Sequence, residues 1–145
     1  IILDRNLEIN LKSYIARSIK NENTIIFHNS NNRSKIKLLK KRGTILIKQS
    51  TNKYKNLDLK KTLKDLYKIG IRNLLVEGGN ILTKSFLQSK LFNEFYMFRS
   101  SKNLSKNKKH VNFTSFSILN TKYNKHKINS KLATDKLTIY KNWNV

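Results

Sequence analysis

Three short apolar runs, at residues 24–28, 44–48 and 73–76, are separated by stretches whose apolar residues recur every three or four positions. Runs of that length rich in Ile, Leu and Val read as strands, and the spacing between them reads as helix. Strands joined through helices pair in parallel, with right-handed crossovers. The ordering therefore predicts an α/β fold: a mixed, mostly parallel sheet flanked by helices. Residues 95–98, 115–119, 126–132 and 137–140 follow with little helix between them and predict antiparallel strands at the C-terminal edge.

Punctuation between the runs supports this order. Residues 1–4 read as a first strand, Arg5-Asn6 as a turn, and Leu7-Glu8-Ile9 as a second short strand. Leu11, Ile15 and Ile19 stand four apart and predict a helical turn or two. Ser34 is placed to cap a helix carrying Ile36, Leu38 and Leu39, with Gly43 at its end. Asp58 is placed to cap a second helix whose face is Leu59, Leu63, Leu66 and Tyr67, with Gly70 at its end. A third helix over residues 79–90 should turn Ile81, Leu82, Phe86 and Leu87 inward. Trp143 is expected to cover an open edge of the core, and residues 102–110 to form a charged loop.

Charge bears on partners. The chain carries 31 Lys and Arg against 8 Asp and Glu, a net +23. Such a field attracts polyanions, so a basic nucleic-acid-binding module is one reading. The excess is mostly lysine spread along the chain, dense only at residues 35–42 and 102–109. Asn and Ile are also abundant and Pro is absent. These residues share AT-rich codons, so compositional drift is favoured and no specific nucleic-acid partner is expected. A basic surface would still help draw in a phosphorylated ligand.

Cysteine is absent, which excludes disulfides, thiolate catalysis and Cys-ligated zinc. His28, His110 and His126 stand apart without metal-ligand spacing, and no metal is expected. No apolar run approaches the ~20 residues of a membrane span, and no leader pattern opens the chain. A cytoplasmic protein is expected, with no membrane partner. The chain opens on Ile1 inside an apolar run, so it is expected to be a fragment of a longer protein.

Val76-Glu77-Gly78-Gly79 holds two of the four glycines where a strand should give way to a helix. Ligands of open α/β sheets bind beyond the carboxyl ends of strands. Bare backbone there lets amides approach a ligand closely, and the helix start adds unpaired N–H groups and partial positive charge. Together these form a phosphate or pyrophosphate cradle, although neither GxGxxG nor the P-loop pattern is matched. A tight turn needing only small residues remains an alternative, as does Glu77 serving as a first-turn acid.

The stretch "LDLKKTLKDLYKIGIRNLLVEGGNILTKSFLQSKLFNEFYMFRS" resembles the reductase domain of bifunctional riboflavin-biosynthesis proteins, which have a dihydrofolate-reductase-like fold. The specific part spans residues 58–98; "IILDRNLEI", "TIIF" and "GTILI" fall where that family has strands, and the likeness continues faintly to the end. The resemblance implies NADPH-dependent reduction of 5-amino-6-(5-phosphoribosylamino)uracil to the ribitylamino compound. Carried over by position, it implies that Glu77 contacts the phosphorylated pyrimidine substrate. It implies further that Gly79, Asn80, Ile81, Leu82, Thr83, Lys84 and Ser85 line the cofactor, largely through backbone. Glu77 is the only candidate for a general acid, and its first role is to position substrate; no residue is assigned as catalytic. A homodimer is implied, with Phe92, Phe95, Tyr96 and Phe98 as core and dimer-facing residues.

The resemblance also sets departures. The family's reductase domain begins earlier, with a strand and helix that supply further contacts, and is often preceded by a zinc deaminase domain. Neither is expected within residues 1–145, which read as one partial reductase domain, inactive alone. Arg5 stands where the family touches the cofactor with a smaller residue, so that contact is not carried over. A related reductase of the same fold acting on another substrate remains an alternative.

Overall fold

Ile25, Ile26 and Phe27 are apolar on both faces of one short strand, and such a strand is stable only at the centre of a sheet. The computed structural model, which describes residues 1–20, 23–102, 113, 115–128 and 134–142, places them there. Strand β2 (Ile25–His28) lies between β1 (Ile2–Leu3) and β3 (Ile45–Lys48), all parallel. Ile2 pairs with Ile26 and Leu3 with Phe27; on the other side Ile26 pairs with Leu46 and Phe27 with Ile47. Period-two alternation sends neighbouring side chains to opposite faces. Ile26 therefore meets Leu7, Ala16, Ile19 and Leu39, whereas Ile25 and Phe27 meet Leu57 and Leu66. Helices α1 (Tyr14–Ser18) and α2 (Arg33–Lys41) supply the first cluster through Ala16 and Leu39, and α3 (Leu59–Lys68) supplies the second through Leu66.

Local chemistry sets the helix ends. The Asp58 carboxylate accepts from the Lys60 and Lys61 amides at 2.9 and 3.2 Å, capping α3 as expected. Gly70 ends it at φ +94°, a conformation that L side chains rarely adopt. In α2 the cap is Asn32, whose Oδ1 accepts from the Lys35 amide at 3.0 Å, so the helix begins before the expected Ser34. In α1, Ser13 caps the helix and Ile19 is buried, but Ile15 is exposed: a single turn cannot hide all three of its spaced residues.

The expected strand at Leu7-Glu8-Ile9 does not form. The Asp4 carboxylate accepts from the amides of Glu8 and Ile9 at 2.8 and 2.7 Å, withdrawing both from any ladder. Leu7 turns at φ 56° and drops its side chain into the core.

The chain divides into two compact units, Ile1–Asn73 and Leu74–Val145. The second contains α4 (Asn80–Gln88), β4 (Glu94–Arg99), α5 (Phe116–Lys122), β5 (Asn124–Ile128) and β6 (Lys136–Lys141). Its sheet is antiparallel in the order β4-β6-β5, the antiparallel C-terminal arrangement expected. Tyr140 stands opposite Phe95, and both pack on Leu87 of α4 and Leu119 of α5. The other face of β4 leaves Tyr96 and Phe98 exposed. Asn142 fastens the loop after α4 by donating from Nδ2 to the carbonyls of Lys90 and Phe92, both at 3.0 Å.

Residues 115–119 are helix rather than the expected strand. Leu119 lies four positions after Ser115, its amide bonds the Ser115 carbonyl, and its side chain is fully buried, so the i, i+4 spacing prevails over alternation. The expected strand at 126–132 is seen as β5 up to Ile128. Residues 129–132, like Trp143 and most of the 102–110 loop, lie outside the described residues.

The largest difference concerns residues 73–76. They form no strand: Leu74, Leu75 and Val76 are 38%, 81% and 39% exposed and enter no strand pair among the described residues. Their apolar sequence meets the hydropathic requirement of a buried strand, but a ladder also needs a neighbour, and none is paired with them.

Candidate functional site

The junction expected to hold a ligand runs from Val76 through Glu77, Gly78 and Gly79 into α4. Gly79 is the N-cap, in extended conformation at φ −69° and ψ 174°, and no side chain caps the helix. The first turn of α4 contains no acidic residue. A helix start without a capping carboxylate keeps its partial positive charge available to an incoming anion.

The two glycines serve different purposes. A Cβ at Gly78 would meet Leu82 Cδ2 at 2.7 Å and Leu82 Cβ at 3.2 Å. Leu82 thus lies against bare backbone, and the first of the pair is required by packing. A Cβ at Gly79 would meet nothing within 4 Å. The space over Gly79 is open at the helix start, where a ligand phosphate can come close to backbone.

The structure brings the expected residues into one continuous segment with graded exposure. Glu77 and Gly79 are exposed, Asn80, Leu82, Thr83 and Ser85 are half-buried, and Lys84 is exposed. Ile81, expected to face inward, is 80% exposed, while Phe86 and Leu87 hold the helix to its sheet. At 3.6 residues per turn Ile81 lies on the side of the helix opposite Phe86 and Leu87, so the core-facing side belongs to the second half of α4. Thr83 Oγ1 reaches the Gly78 carbonyl at 3.5 Å and its amide bonds the Gly79 carbonyl at 3.2 Å, so the turn is braced from inside the helix. Ser85 Oγ donates to the Ile81 carbonyl at 2.9 Å.

A second group of polar residues lies at the carboxyl ends of the parallel strands in the first unit. The sequence signals it only through the rule that such ends bind ligands. The His28 carbonyl accepts from the Gln49 amide at 2.7 Å, and Lys48 Nζ donates to Asn31 Oδ1 at 2.6 Å. Gln49 is buried and accepts from Thr62 Oγ1 at 3.1 Å. His28 is 3% exposed and its Nδ1 has no hydrogen-bond partner. Burial lowers its pKa below the ordinary histidine value, against the opposing pull of a bond to the Ser30 backbone. Arg5 reaches the Lys55 carbonyl through Nη1 and is thereby engaged within the first unit.

A family model described as the RibD C-terminal domain matches residues 1–131. The chain belongs to the RibD C-terminal domain family. Among solved structures it is similar to Acinetobacter baumannii RibD in two forms. Form 2 gives a TM-score of 0.68 at 18% identity and form 1 a TM-score of 0.67 at 17%. Each match covers 97% of this chain and 36% of the RibD chain, so the chain spans about a third of the length of those relatives. No curated protein sequence matches it. The RibD-like fold accounts for helices packed against both parallel and antiparallel strands. Among the described residues, no group of three or more His, Cys, Asp or Glu could hold a metal ion, and no helix is long and apolar enough to cross a membrane.

Proposed function

We propose that this chain contributes the cofactor-facing part of a reductase of riboflavin biosynthesis, acting on 5-amino-6-(5-phosphoribosylamino)uracil with NADPH, within a longer protein. The observation that carries the reading is the Glu77-Gly78-Gly79 junction opening α4, in a chain whose residues 1–131 match the RibD C-terminal domain. The residues fit such a cofactor: the helix start has no side-chain cap, no acid in its first turn, and open space over Gly79.

Bound NADPH would supply the hydride that reduces the sugar C1, the ring oxygen taking up a proton as the ring opens. The chain's own residues bind and orient. The amides from Gly79 into the first turn of α4 hold phosphate, and Lys84 adds a cation one turn further on. Thr83 keeps the turn closed beneath them. Glu77, exposed at the start of the junction, positions the substrate through hydrogen bonds to its sugar. Much of the rate advantage in such a site is orientation. Association as a homodimer belongs to the same proposal, with the exposed Tyr96 and Phe98 face of β4 available for it.

The test is NADPH affinity of the longer protein bearing this segment, compared with its Gly79→Asp variant. A Cβ there meets nothing within 4 Å, and the Asp carboxylate would cap the amides that phosphate needs. The expected result is a loss of roughly tenfold or more, the scale of a charge at a helix terminus. Equal affinity in the two proteins would overturn the assignment.

A further inference from the structure

The layer formed by α1 and α2 carries a charge pattern that the proposed reduction does not use. Residues 9–57 hold twelve Lys and Arg against one acid, Glu22, whereas the rest of the chain holds nineteen against seven. What marks the segment is the lack of carboxylates to offset its cations. In α2, Arg33, Lys37, Lys40 and Lys41 are all exposed. At 3.6 residues per turn their spacing sets them on one side of the helix, away from the buried Leu39. Among the described residues none of the four is in an ion pair. Arg42 Nη1 donates to the Leu11 and Ala16 carbonyls at 2.9 and 3.1 Å, tying α1 to the end of α2. Helix α1 adds the exposed Arg17 and an aromatic ring, Tyr14, that is 72% exposed.

Chemistry narrows the partner. The stripe from Arg33 to Lys41 is about 12 Å long at the rise of an α-helix. A stacked nucleic-acid strand carries one phosphate per ~3.4 Å, so the stripe matches three to four phosphates of such a strand. A lasting hold on an anionic membrane takes an inserted apolar face as well as charge, and Leu39 and Ile36 commit that side of α2 to the core. An open aromatic ring among cations suits unpaired bases, which stack on it while the backbone lies along the charges. We propose that the α1–α2 layer binds single-stranded nucleic acid without sequence preference, the α2 stripe holding phosphates and Tyr14 stacking a base. The proposal does not depend on the reductase's substrate or cofactor.

Helix α3 supplies an internal control. Lys60, Lys61, Lys64 and Lys68 form an equal stripe of exposed cations, but α3 also carries Asp65 and is capped by Asp58. It packs on the other face of the parallel sheet. Charge that only reflects composition would make the two stripes equivalent.

The experiment follows the fluorescence anisotropy of an oligothymidylate of about 15 nucleotides, a length within the usual single-strand site sizes, with the longer protein bearing this segment, across a salt series. Neither cofactor nor substrate is added, so failure here is distinguishable from failure of the reductase reading. Changing Arg33, Lys37, Lys40 and Lys41 together to Gln should weaken binding by roughly tenfold or more and flatten the log–log salt slope by about three, at ~0.7 per lost phosphate contact. The same change at Lys60, Lys61, Lys64 and Lys68 should flatten it by less than about one. Tyr14→Ala should weaken binding by about fivefold or more, the lower end of the worth of one stacked base, and leave the slope as it was. Tyr54→Ala, which removes a ring that is 70% exposed outside this layer, should change neither. Protection of the Ile26 amide from exchange reports that each variant is folded. Equal losses from the two stripes would overturn the proposal, as would unchanged affinity in Tyr14→Ala. Displacement of the oligonucleotide by anionic vesicles at matched phosphate concentration would overturn it too, since the partner would then be a lipid surface.

Discussion

Strand β2 and the run at residues 74–76 begin from nearly the same sequence and end differently. Ile25, Ile26 and Phe27 are 7%, 0% and 0% exposed, and Leu74, Leu75 and Val76 are 38%, 81% and 39% exposed. Both runs are short, apolar and flanked by polar residues. What separates them is the ladder: β2 is paired along both edges, and the second run, among the described residues, along neither. Hydropathy makes a segment eligible for a sheet interior; distant neighbours decide whether it gets there. The lesson reaches function, because the proposed site begins at the end of the unpaired run, at Glu77.

The sharpest way to break this comparison is a matched truncation. Phe27→Ala removes a fully buried ring from the cluster with Ile25, Leu57 and Leu66. It should cost about 3–5 kcal/mol, read from faster native-state hydrogen exchange of the Ile25 and Ile26 amides. Leu75→Ala should cost no more than about 0.5 kcal/mol by the same reading. Similar costs at the two positions would mean that the run is covered in solution and the contrast is false.

The glycine pair offers the next test. Gly78→Ala forces a Cβ to within 2.7 Å of Leu82 Cδ2. The flexible end of Leu82 can yield a little, but its Cβ at 3.2 Å moves only with the helix. The substitution should cost about 1–3 kcal/mol of local stability, seen as faster exchange at the Thr83 amide. Gly79→Ala, with nothing in reach, should change that exchange by less than about 0.5 kcal/mol. If the order is reversed, the close approach belongs to the other glycine and the cradle is wrongly placed.

Helix starts in the two units differ in the same spirit. Helix α3 is capped by the Asp58 carboxylate and α4 by no side chain. Asp58→Ala should cost about 1 kcal/mol in the protection of α3, whereas Gly79→Ser should add only a few tenths to α4. The asymmetry fits a helix start kept clear for an anion. A large gain from Gly79→Ser would show that α4 lacks a cap for no purpose of binding.

Much of this architecture was legible because its causes are local. Asp58 and Gly70 bound α3 through bonds and dihedrals within a few residues, and the runs at 24–28 and 44–48 announced β2 and β3. Glu77, Gly78 and Gly79 were readable as a turn into a helix for the same reason. Illegible features depend on groups further away or on competing bonds. The Asp4 side chain takes the amides that Leu7-Glu8-Ile9 would have used in a strand. At residues 115–119 two periodicities coexist, and burial of Leu119 against Leu87 and Tyr140 selects the helical one. That Leu82 folds back on Gly78 follows from helix spacing, but that the contact tolerates no Cβ is visible only in three dimensions.

The mildest test lies at the tip of β2 itself. His28 closes the buried strand, 3% exposed, with Nδ1 unpartnered. The charged groups that bear on it are Asp4 after β1, Lys40 on α2 and Lys48 at the end of β3. Desolvation lowers its pKa, and the repulsion of Lys48 and Lys40 adds to this against the attraction of Asp4 and the Ser30 bond. A base whose pKa is lower when folded binds more protons when unfolded, so the folded state is favoured above the unfolded value of 6.5. Stability is then lost as pH falls from there toward the folded pKa, and the loss levels off below it. Exchange protection of the Ile26 amide, corrected for the intrinsic pH dependence of exchange, should therefore weaken on going from pH 7.5 to about pH 5. His28→Gln should flatten that dependence, and Leu75→Ala should leave it intact. A wild-type profile already flat across this range would mean that water reaches the ring, and that β2 is less completely enclosed at its tip than along its length.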